Sequence, residues 1–165
     1  MVCMLLATQF TRLLVPSLTL TLPFDPSLSR SQSSCICALR SEEGEVAGVV
    51  KLVQRTGSAP TSVAGKITGL SAGPHAVAVR VWGVPHDAEG AAASGGAYTG
   101  ATASETVGML GVVTASADGV AEVKFADAAV QLMGAYSIIG RSLAVFEGAD
   151  ASSAVLASGV VGISK

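Results

Sequence analysis

Histidine is scarce in this 165-residue chain, with His75 and His86 the two present, and cysteine is confined to Cys3, Cys35 and Cys37. No cysteine follows Cys37, so the bulk of the chain has no thiol with which to form a disulfide or bind a soft metal. Aromatic residues make up 4% and charged residues 13%. That shortage of charge excludes an electrostatic footprint: the net charge is -2 and the lysines and arginines are scattered, so neither nucleic acid nor a membrane is expected as a partner. An uninterrupted apolar run of about 20 residues is missing too, because Gln9, Arg12 and Pro16 break the stretch from Met4 to Leu22, which argues against a transmembrane helix.

What is abundant is Gly, Ala, Val and Ser, a balance that suits short strands and tight turns. Residues 1–41 contain Asp25 as their single acidic residue before Glu42, while Arg12, Arg30 and Arg40 lie among serines and threonines. This is the composition of an organelle transit peptide, with an N-terminal extension or a secretory signal as alternatives. A transit peptide would send the protein to a chloroplast or mitochondrion; otherwise a cytoplasmic location is expected. From Glu42 to Lys165 the pattern changes to β-branched runs separated by glycine-rich turns, so the domain is expected to span 42–165.

Seven runs read as strands: Glu45 to Gln54, Thr61 to Leu70, His75 to Trp82, Leu110 to Ser116, Val120 to Ala126, Ile139 to Glu147 and Ala154 to Ile163. In the third, Val77, Val79 and Val81 fall on one face and Ala78, Arg80 and Trp82 on the other. Asp118-Gly119 supplies a hairpin turn. The stretch from Gly83 to Gly108 has few large apolar groups and reads as a surface excursion.

Four landmarks kept in order carry a resemblance to a known family. They are Gly48-Val49-Val50-Lys51, the run from Ile67 to His75, the run from Ala117 to Val123, and Ser137-Ile138-Ile139-Gly140-Arg141-Ser142. The chain resembles the copper/zinc superoxide dismutases, which implies an all-β, eight-stranded Greek-key β-sandwich or flattened barrel, with one strand missed in the count above. It also implies where copper and zinc donors should lie. The copper histidines of the third strand correspond to Ala78 and Arg80, the zinc histidine and aspartate of the next landmark to Thr106 and Met109, and the last copper histidine to Phe146. The arginine that guides superoxide and the cysteine of the family disulfide correspond to Val155 and Ser158. His75 matches a structural histidine, and His86 lies in the long loop out of register with any ligand.

The resemblance therefore implies a fold without the family's metal chemistry and no cofactor. The central domain of the copper chaperone for superoxide dismutase is similar in this respect, and plant-type chaperones parallel the loop from Gly90 to Tyr98. That likeness implies a partner, either a superoxide dismutase or a second copy of this chain, in a homo- or heterodimer. Its pairing surface carries over to Ile139, Gly140, Gly159, Val161 and Ile163. A chaperone's N-terminal metal domain and C-terminal Cys-x-Cys tail are not in place, although Cys35-Ile36-Cys37 is a weak Cu(I) candidate. The alternatives are a divergent dismutase converting superoxide to oxygen and hydrogen peroxide, or a truncated chaperone.

Overall fold

A computed structural model of the chain describes residues 32–84, 93–100 and 107–165. Most of the expected leader, together with His86, Thr106 and part of the long loop, lies outside the described residues. Eight strands are present: β1 (Ser33–Ser41), β2 (Val46–Gln54), β3 (Thr61–Ile67), β4 (Gly73–Val79), β5 (Met109–Ala115), β6 (Ala121–Asp127), β7 (Ser142–Phe146) and β8 (Val155–Ile163). Every pairing is antiparallel, in the order β5-β4-β7-β8-β1-β2-β3-β6. The crossings from β3 to β4 and from β6 to β7 give the Greek key, and the two end strands, β5 and β6, pack against each other to nearly close a barrel.

The strand missed from sequence is β1, and its position corrects the expected domain boundary. Residues 33–41 were placed in the leader, yet they lie between β2 and β8 and join the two halves of the sandwich. The period-two pattern explains why they belong there. Cys35, Cys37 and Leu39 are fully buried, whereas Ile36, Ala38 and Arg40 face out. Glu42-Glu43-Gly44 is the β1–β2 hairpin rather than a linker: the Ser41 and Glu45 backbones pair at 2.9 Å, and Gly44 takes the left-handed φ of 82° that the turn requires.

The interior is filled by β-branched and leucine side chains, among them Val50, Leu52, Val63, Ile67, Val77, Val79, Leu143 and Val145. One polar side chain closes the end of this core. Gln54, 1% exposed, donates to the Ala59 carbonyl at 3.0 Å and accepts from the Leu132 and Met133 amides at 2.8 and 3.2 Å. Those bonds satisfy loop groups that burial would otherwise leave unpaired. The Asp118-Gly119 hairpin is present as expected, with Gly119 at φ 73°. The described residues contain no helix long and apolar enough to cross a membrane.

If β1 is integral to the barrel, a chain started at Glu42 has unpaired edges on β2 and β8 and an uncovered core. It is expected to lack cooperative thermal unfolding, while a chain started at Gln32 keeps it. Circular dichroism melting of the two proteins checks this, and equal cooperativity would contradict it.

Candidate functional site

Strand β4 is buried on both faces. Its valines point into the barrel, but Ala76 and Ala78 on the outer face are also fully buried. They form a second apolar cluster with Ala144 and Phe146 of β7, against which Met109, Ala151 and Val155 pack. Register explains the convergence: Ala78 sits opposite Ala144 on one side and, across a bulge after Val77, opposite Met109 on the other. Phe146 is 1% exposed, and its ring carries the Arg80 guanidinium 5.6 Å from the centroid. Arg80 Nε also donates to Ser94 Oγ at 3.3 Å.

The fold thus brings Ala78, Arg80, Met109 and Phe146, the residues that the resemblance matches to metal donors, to one place. Among the described residues the donor set there does not fit copper or zinc. Ala78 and Phe146 offer no lone pair, Arg80 is a cation with hydrogen-bond donors only, and Met109 contributes a single thioether. Among the described residues the space is packed by apolar side chains, and no imidazole lines it. Among the described residues no three His, Cys, Asp or Glu side chains are grouped as a metal site. Val155, which the resemblance matches to the guiding arginine, packs against the apolar cluster, and Ser158 is buried.

The cysteine pair does not supply an alternative copper site of the kind considered from sequence. Positions i and i+2 of a strand share a face, and both thiols are fully buried in the barrel. Burial pushes the Cys37 thiol up to about 12, only partly opposed by a hydrogen bond from the Leu143 backbone, and raises Cys35 as well. Cu(I) binds thiolates, whereas this environment holds the protonated, apolar form.

His75 is fully buried and spans two segments, with Nδ1 2.8 Å from the Phe146 carbonyl oxygen and Nε2 2.7 Å from that of Ser71. It ties the β3–β4 loop to the end of β7, directly behind the Phe146 ring's own backbone.

The expected pairing residues divide. Ile139 is half-buried against the core, Gly140 is exposed at a left-handed φ of 81°, and Ile163 is 77% exposed. Gly159 and Val161 are not accessible. Val161 points into the barrel, and a Cβ on Gly159 would stand 2.1 Å from the Ala38 carbonyl oxygen. The error was one of parity, since alternate residues of β8 face opposite ways and the partly exposed outward set is Val160 and Gly162.

That outward set leads to surface residues the sequence reading did not single out. Ile36 of β1 lies opposite Gly162 and is 44% exposed. The Gly140 amide donates to the Val161 carbonyl beside it, Gly83 packs on the Gly140 carbonyl, and the adjoining Trp82 is 62% exposed. Ile36, Gly162, Gly140 and Gly83 are thus linked in turn through backbone neighbours into a stripe of small and apolar residues, with Ile139 and Trp82 beside it in the chain and the Trp82 ring near Gly95. The alternation of β1 would have revealed Ile36, had its residues been read as a strand.

Truncating Phe146 to Ala empties the centre of the outer cluster, and large-to-small changes of this kind cost about 3 kcal/mol or more. Urea unfolding of Phe146→Ala is expected to show that loss, while a change below about 0.5 kcal/mol, the size usual for surface substitutions, would contradict the packing role.

Comparison with known proteins agrees with the fold. The family model described as copper/zinc superoxide dismutase (SODC) matches residues 46–162. The extracellular Cu-Zn superoxide dismutase of Brugia pahangi is 35% identical over 127 residues, which cover 72% of this chain and 61% of that protein. The Cu-Zn superoxide dismutase of Onchocerca volvulus is 32% identical over 127 residues, covering 72% of this chain and 77% of the relative. With most of the barrel matched and the strand order described above, this chain belongs to the copper/zinc superoxide dismutase family.

Proposed function

We propose that this superoxide dismutase-like domain is non-catalytic and acts by docking onto another barrel, a superoxide dismutase or a second copy of itself, as the central domain of a copper chaperone does. The observation that carries this reading is the apolar cluster of Ala76, Ala78, Ala144 and Phe146, with Met109 packed against it, in which Ala78, Met109 and Phe146 are residues that the resemblance matches to metal donors. Dismutation needs an ion that changes oxidation state, and these side chains supply no ligand set to hold one. No resident copper or zinc is therefore part of the proposal. Relatives named superoxide dismutase do not transfer their activity to a chain whose donor positions differ, because function resides in sites grafted onto folds.

The docking half of the reading is supported by the stripe through Ile36, Gly162, Gly140 and Gly83, with Trp82 beside it. Small residues allow close backbone approach, and the flanking Trp82 and Ile36 supply apolar area, the composition of an interface core with an aromatic anchor. Neither nucleic acid nor a membrane suits a surface with so little basic charge. The N-terminal composition supports delivery to a chloroplast or mitochondrion, with the cytoplasm as the alternative if it is not a transit peptide.

Gly162 gives a cleaner test than Gly140, whose left-handed backbone would strain under any side chain. A Cβ on Gly162 meets nothing closer than the Ile36 carbonyl oxygen at 3.7 Å, so Gly162→Glu leaves the barrel intact and puts a charge in the stripe. Sedimentation velocity of the full chain, alone and mixed with a Cu-Zn superoxide dismutase, is expected to show a dimeric complex in one of the two samples. Gly162→Glu is expected to weaken that complex at least tenfold, the effect of about 1.4 kcal/mol. A monomer in both samples, or a complex indifferent to the substitution, would overturn the docking proposal.

A further inference from the structure

Arg80 occupies an unusual electrostatic position. Its backbone is fixed at the end of β4, where its amide donates to the Ser142 carbonyl at 2.8 Å and it bridges to Ala97. Its side chain is half-buried, with one face over the Phe146 ring and Nε on Ser94. Among the described residues no carboxylate lies within ion-pair distance of the guanidinium. Burial pulls its proton affinity down, because desolvation disfavours the charged form. A guanidinium presents five N–H donors, and the Ser94 bond uses one.

The remaining donors border a cleft of about 440 Å³ walled by Glu42, Phe146, Ser152, Ser153, Ala154 and Val155. We propose that this cleft binds a small organic monocarboxylate, its oxygens on the free edge of Arg80 and its aliphatic body against Ala154 and Val155. The fork of the guanidinium matches the two oxygens of a carboxylate. Two features select a monoanion with an apolar tail over a phosphate: Glu42 on the same wall repels a second negative charge, and the alanine and valine surfaces offer nothing to a fully hydrated ion. This inference is independent of pairing, because the cleft is lined by the β7–β8 loop and Glu42 rather than by the glycine stripe.

The test is titration of the full-length protein with butyrate and, separately, with inorganic phosphate, followed by heteronuclear NMR. Saturable millimolar binding of butyrate is expected, with shifts at Arg80, Ser152 and Ser153 and at least tenfold weaker phosphate binding. Arg80→Gln is expected to weaken butyrate about tenfold or more, as loss of a charge-assisted bond does. Glu42→Gln, a change on an exposed turn, is expected to tighten it about twofold to threefold by removing a like charge. The second variant keeps the test sound should Arg80→Gln unfold. No saturation by butyrate, equal affinity for phosphate, or a Glu42→Gln variant that binds more weakly than the parent would each overturn the proposal.

Discussion

The outer face of β4 and β7 has to be covered, and much of this protein's character follows from what covers it. A strand pair buried on both sides cannot leave polar atoms unsatisfied, so the residues that meet there must either coordinate something or pack. Here they pack. Alanines at 76, 78 and 144 make room, Phe146 fills it, and Met109, Ala151 and Val155 close the rim. The arrangement is self-consistent: the large Phe146 ring is matched by alanines at its neighbours, as volume-conserving packing requires.

The same cluster organises its surroundings. His75 grips the Phe146 carbonyl from behind, fixing the end of β7, and Arg80 lies across the front of the ring. The sheet continues from β7 through β8 to β1, where close backbone approach at Gly159 draws the two halves of the barrel together. Inward-facing Cys35 and Cys37 then behave as small hydrophobes whose burial keeps them protonated. On the other side of that seam, Ile36 and Gly162 face solvent, which connects the interior packing to the surface offered for docking.

Much of the architecture was legible in the residues. The seven strand runs and the Asp118-Gly119 turn correspond to what the structure contains. β1 was missed because its serines and cysteines share the composition of the residues before it, and because two glutamates and a glycine look like a boundary when they are a hairpin. Its alternation of Cys35, Cys37 and Leu39 with Ile36, Ala38 and Arg40 held the information, but only pairing with β2 and β8 gives that pattern meaning. The pairing residues of β8 went partly astray for a related reason: a strand's face is set by its register with neighbours, and Gly159 and Val161 differ from Gly162 by parity alone.

The claim on which the account rests is that the side chains at the family's donor positions pack instead of ligating. Its most direct test is to load the purified full chain with excess copper and zinc, dialyse, and determine metal per chain by mass spectrometry alongside superoxide consumption. The account predicts metal well below one ion per chain and a rate no greater than that of the buffer blank. One tightly held copper per chain with rapid dismutation would contradict it.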